Sequence, residues 1–113
     1  MSELTTKRCV PCQGGTPPLT HEQILPLIDE LDGWEVIQTH HLMKNYRFPD
    51  FASALRFVNQ VGELAEREGH HPDIFLTWGQ VGLQIWTHKI DGLTESDFVF
   101  AAKCDRAFAQ AAA

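Results

Sequence analysis

Residues 50–72 leave this chain little freedom in how it folds. Phe51, Ala54, Leu55, Phe57, Val58, Val61, Leu64 and Ala65 recur at helical spacing, while Ser53, Arg56, Asn59, Gln60, Glu63 and Arg67 fill the opposite side. A stripe that wide must be buried against a second layer. Its ends are marked as well. Pro49 stops what precedes it, Asp50 is a good N-cap, and Gly69 and Pro72 end the helix around His70-His71.

The flanking segments change period from helical to two. Trp34–Ile37 and Leu42–Phe48 read as strands before the helix, with Leu42, Tyr46 and Phe48 on one face and Met43, Asn45 and Arg47 on the other. After it come Ile74–Trp78, a turn at Gly79-Gln80, and Val81–His88. In that last run Val81, Leu83, Ile85 and Thr87 oppose Gly82, Gln84, Trp86 and His88. Thr20, with Gln23 three positions on, opens a first helix through Leu31, with Gly33 at its C′ position and Pro26 as a blemish. Asp91-Gly92 marks a turn, and Thr94 caps a last helix carrying Phe98, Ala101, Ala102 and Phe108. The expected fold is α+β, in the order α-β-β-α-β-β-α: a four-stranded antiparallel sheet with three helices packed on one face. Residues 20–113 form its single domain, and residues 1–19 are expected as an extended or loosely docked tail.

Composition narrows the function classes. A chain of 113 residues that is 43% apolar can build one core, which excludes general disorder. Nine Lys and Arg against fifteen Asp and Glu give a net charge of −6, which speaks against holding nucleic acid by phosphate neutralisation. No apolar run approaches the ~20 residues of a membrane span, and no charged-then-apolar leader opens the chain. With no cysteine framework either, a cytoplasmic protein with reduced thiols is the expectation.

The unusual residue is histidine, six in all, four of them in two adjacent pairs. Imidazole titrates nearest neutral pH, so the count invites a search for acid–base chemistry. His70-His71-Pro72 can supply acid–base groups or metal ligands, or one ring can simply cap a helix while the other is solvated. His88 shares a strand face with Trp86, whose indole could floor a flat heterocycle or pack beneath a helix or a neighbouring subunit. Glu66, one helical turn before His70, could orient that imidazole. Asp97, three residues after Thr94, is what a capped helix favours without any catalytic role. Cys9-Val10-Pro11-Cys12 is half of a zinc site whose other ligands would have to come from far away. His40 and His41 read as a solvated strand start, and His21 as surface.

The spacing Glu66, three residues, His70-His71-Pro72, five residues, Trp78, nine residues, His88, eight residues, Asp97 resembles the signature of the pterin-4a-carbinolamine dehydratases. Leu31-Asp32-Gly33-Trp34, Phe48-Pro49-Asp50-Phe51, Thr87-His88 and Gly92-Leu93-Thr94 extend the likeness over about residues 20–110, leaving the cysteine-bearing tail outside it. The resemblance implies dehydration of 4a-hydroxytetrahydrobiopterin to quinonoid dihydropterin, recycling the pterin of aromatic amino-acid hydroxylases. It implies no metal and no cofactor, a reduced pterin as the small-molecule partner, and homodimers or homotetramers built through sheet edges and helices. It aligns His70, His71 and His88 with the family's histidines, Glu66 and Asp97 with its acidic positions, and Trp78 with its aromatic one. His70 and His88 are then expected to exchange protons with substrate, His71 to bind the hydroxyl, and Pro72 to line the site. Trp86 stands where relatives often carry a small polar residue, so its expected stacking role rests on its strand position beside His88 and not on the resemblance. The alternatives are a different pterin, in molybdenum-cofactor metabolism, a non-catalytic interaction or transcriptional partner, and a zinc protein using Cys9 and Cys12.

Overall fold

In a computed structural model of the chain, residues 3–9 and 16–112 are described. Helices α1 (His21–Ile28), α2 (Phe51–Glu68) and α3 (Glu95–Ala112) accompany strands β1 (Glu35–Ile37), β2 (His41–Arg47), β3 (Asp73–Thr77) and β4 (Gln80–Ile85). The strands form one antiparallel sheet in the order β1-β2-β4-β3, as expected of an α+β fold. Leu42, Tyr46, Val81, Leu83 and Ile85 face the helices and are buried with Phe57, Val61, Phe98 and Phe100. The other sheet face carries Met43, Asn45, Phe75 and Gln84, and Phe75 stays 54% exposed.

Local signals set the helix ends. The Asp50 carboxylate accepts the Ser53 N–H at 2.8 Å, and Gly69 closes α2 in the left-handed conformation at φ 63°. Thr20 and Gln23 form the expected capping box on α1. That helix stops at Ile28 rather than continuing through Leu31. Pro26 cannot return a hydrogen bond to the carbonyl one turn earlier, and Asp29 caps the shortened helix. Gly33 accordingly sits in the turn before β1, beneath the Lys44 side chain.

Three strand boundaries differ from expectation. Thr77 pairs with Gln80, so the two-residue turn is Trp78-Gly79, and Trp78 is 69% exposed outside any strand. His88 leaves the sheet altogether. Thr87 bridges to Gly92, and His88–Ile90 form a 3₁₀ turn closed by Asp91 in left-handed backbone. His41 joins β2, and Gln38 and Thr39 make the β1–β2 turn with φ of 53° and 58°.

The described part of the N-terminal segment is not a loose tail. Glu3–Thr6 form a 3₁₀ turn, and Leu4 is buried in the core. Cys9 donates its N–H to Glu68 at 3.0 Å and its thiol to the Ser96 carbonyl at 3.5 Å. Pro18 lies so close to Gly92 that a Cβ there would meet it at 2.5 Å, which explains the glycine. Cys12 falls outside the described residues. Burial, then the charge of Glu68, pushes the Cys9 thiol up to about 12. At pH 8 it is therefore protonated and a poor nucleophile. Iodoacetamide at pH 8 is expected to leave Cys9 unmodified in the folded protein and to alkylate it in urea, as read by peptide mapping. Equal modification in both states would mean that residues 3–9 are not docked.

Candidate functional site

The left-handed Gly69 turns the chain so that both its own N–H and that of His70 return to the Ala65 carbonyl. His70 is thereby aimed at the first turn of α3. Its Nε2–H donates to Asp97 Oδ1 at 2.6 Å, and the ring lies 5.7 Å from Phe100. Asp97 is fully buried. Its Oδ2 accepts the Thr94 N–H at 2.8 Å and the Thr87 hydroxyl at 2.9 Å. A buried carboxylate needs such partners, and these three fix its position. A carboxylate only accepts, so the proton on neutral His70 is held at Nε2 and Nδ1 is left as a basic lone pair.

The acids are distributed differently from the sequence expectation. Glu66 does not reach His70, because α2 ends before that residue. It receives the Nε2–H of His71 at 2.5 Å instead, in a pair exposed on both sides. Such a pair orients a ring but adds little stability. Asp97 is both things the sequence allowed, since one oxygen closes the start of α3 and the other holds an imidazole.

His88 follows Thr87, whose hydroxyl is tied to Asp97, so it stands at the same end of the sheet as His70. Its ring lies 4.3 Å from Trp86, tilted by 50°. Contact between these two side chains was expected from strand alternation, but it arises from the 3₁₀ turn. Pro72 leads from the histidine pair into β3 at this same end, where Asp73 pairs with Gln84. Trp78 is not brought here. It lies beyond the far end of β3, roughly 15 Å away at about 3.3 Å per strand residue.

Two histidines first read as surface belong to this cluster. His40 and His41 lie 5.4 and 5.8 Å from Trp86. His40 Nε2 meets Asp91 Oδ1 at 2.7 Å, and the Nδ1 atoms of His40 and His41 are 3.0 Å apart. Burial, then neighbouring His40, lowers His41 below the usual imidazole range, against a smaller upward pull from Asp73. Register, which only the fold discloses, places His41 here. Leu42 pairs with Ile85, so the residue before one and the residue after the other share the uncovered sheet face.

Cavities of about 460 and 510 Å³ lie along α2 and α3, lined by Gln60 with Arg67 and Lys103 or with Arg47 and Phe108, and hold none of these histidines. Among the described residues, no group of three or more His, Cys, Asp or Glu side chains could hold a metal ion. No helix among them is long and apolar enough to cross a membrane.

Replacing Asp97 with Ala removes the acceptor of the Thr94 N–H and of the His70 Nε2–H, and leaves the Thr87 hydroxyl only its contact with the Thr94 hydroxyl at 3.1 Å. Urea denaturation should register a loss of about 2–4 kcal/mol, with Thr87→Val costing about 1 kcal/mol. A loss under 1 kcal/mol for Asp97→Ala would contradict the anchoring role.

Residues 17–107 match the family described as pterin 4 alpha carbinolamine dehydratase. The chain is 60% identical over 106 residues to a relative bearing that family's name in Rubrobacter xylanophilus, across 94% of this chain and 99% of that one. A second, from Alkaliphilus metalliredigens, is 52% identical over 107 residues, across 94% and 96%. The crystal structure of a transcriptional coactivator/pterin dehydratase from Brucella melitensis is similar at a TM-score of 0.76 and 30% identity, covering 80% of this chain and 97% of that one. Together with the fold and the histidine cluster, these matches establish that the chain belongs to the pterin-4a-carbinolamine dehydratase family.

Proposed function

We propose that this protein dehydrates 4a-hydroxytetrahydrobiopterin, or a close reduced pterin, to the quinonoid dihydropterin and water. The observation that carries the reading is the polarised His70, its Nε2–H held by buried Asp97, at the same end of the sheet as the His88–Trp86 pair. In the reaction the C4a–O bond breaks with its electron pair leaving on oxygen, which takes a proton and departs as water. The N5–H is lost to a base, and its electrons form the C4a–N5 double bond. The step is redox-neutral, so its balance calls for no external oxidant or reductant.

His70 and His88 serve as the proton-transfer pair, because imidazole is effective in either direction near neutral pH. His71, oriented by Glu66, binds the departing hydroxyl from the solvent side. Trp86 supplies the floor for the ring, with Pro72 and Asp97 as bordering and orienting groups. In this reading the molecule works in the cytoplasm as a homodimer or homotetramer. Exposed Phe51, Leu55 and Phe75 support self-association.

A second reading, an interaction partner with the same fold, draws on those exposed side chains of α2 and on the Brucella relative's description as a coactivator.

Turnover of freshly generated 4a-hydroxytetrahydrobiopterin separates the two readings. The wild type is expected to accelerate dehydration, and His70→Ala and His88→Ala each to lose about 10²–10⁴-fold. Unchanged turnover in both variants would overturn the proton-transfer assignment. No acceleration by the wild type would overturn the enzymatic reading.

A further inference from the structure

Three imidazoles surround Trp86, and the proposed chemistry uses only one of them. The other two, His40 and His41, run in a chain that starts at Asp91. That chain has a direction. The Asp91 carboxylate only accepts, so His40 must donate from Nε2. In a neutral His40, Nδ1 is then a lone pair. The only partner at 3.0 Å is His41 Nδ1, which must therefore carry the proton. Neutral His41 is left with an unprotonated Nε2 that has no hydrogen-bond partner among the described residues, on a ring whose centroid lies 5.8 Å from that of Trp86.

The geometry points to His41 as a further substrate-binding residue: an acceptor, polarised through His40 by Asp91, that takes an N–H of a flat heterocycle lying on Trp86. This rests on the reading of the site as a pterin site and goes beyond it, because it names a specificity contact outside the aligned histidines. Reduced pterins carry ring N–H and amino donors on the edges of a flat ring, which is the chemistry an acceptor at this place selects. His40 and Asp91 are positioning residues and act only through His41.

Two further observations support the assignment. Gln38 and Thr39 hold the β1–β2 turn in left-handed backbone, which is strained for a β-branched residue and fixes the hairpin that presents His40 and His41. Burial, the larger of the two downward influences on His41, also favours its neutral form.

The test pairs spectroscopy with kinetics on the full chain. Long-range ¹H–¹⁵N correlation at pH 8, on histidine-labelled protein, should find His41 protonated at Nδ1 and bare at Nε2. In Asp91→Gly that preference should be lost, and the glycine suits the left-handed backbone at this position. His41→Phe keeps a ring against Trp86 but removes the acceptor. It should raise KM for 4a-hydroxytetrahydrobiopterin about 10-fold with kcat within about 3-fold, the size expected of one hydrogen bond. Asp91→Gly should raise KM in the wild type and have no added effect in His41→Phe. A wild-type His41 protonated at Nε2, or an unchanged KM in His41→Phe while the wild type turns over, would overturn this inference alone. A wild type without turnover would overturn the pterin reading and this inference with it.

Discussion

The Asp97 carboxylate is the point on which the candidate site depends. It is fully buried in a small domain, so it persists only because an amide, a hydroxyl and an imidazole all donate to it. Those donors come from the start of α3, from the chain just after β4, and from the turn after α2. One charge thus ties together three elements that sequence order keeps apart. It fixes the Nε2–H tautomer of His70, and through Thr87 it carries the backbone that presents His88. Without the carboxylate the His70 ring would lose the acceptor that sets which of its nitrogens faces a ligand.

At the far side of the core a second carboxylate plays a structural role. Asp105 accepts the Trp34 indole N–H at 3.0 Å, the Tyr46 hydroxyl at 2.6 Å and the Lys44 ammonium at 2.8 Å. It joins the middle of α3 to β2 and to the chain entering β1. With Asp97 in the first turn of α3 and Asp105 about two turns further on, the helix is pinned to the sheet at two points. The space between is filled by apolar side chains, Phe98 and Phe100 among them. The site therefore sits on a rigid frame, while its outer members, His71, Glu66 and Asp91, stay exposed where a ligand would arrive.

Local chemistry was legible in the sequence, and long-range geometry much less so. Asp50, Gly69 and the Thr20 capping box act within a few residues, and each was read correctly. The alternation of β4 also survived, because its inward side chains are buried as a set. What failed depended on contacts across the fold. Glu66 was assigned to His70 by helical spacing, but one left-handed glycine redirected the chain and gave it to His71. His40 and His41 looked solvated because nothing in the sequence says that β2 lies beside β4 rather than β3. Leu4 and Cys9 looked like tail because their partners lie on α3 and at the end of α2. Trp78 matched a family position, yet a two-residue turn puts it at the opposite end of the sheet.

The central claim is that the end of the sheet marked by Asp97 binds a reduced pterin on Trp86 within reach of the histidines. Crystals of the protein grown with 7,8-dihydrobiopterin, a stable analogue lacking the 4a-hydroxyl, test it most directly. Density for the ring is expected against Trp86, within hydrogen-bond distance of His70 and His88. A bound ring elsewhere on the molecule, such as the α2–α3 groove, with this end of the sheet empty, would contradict the account.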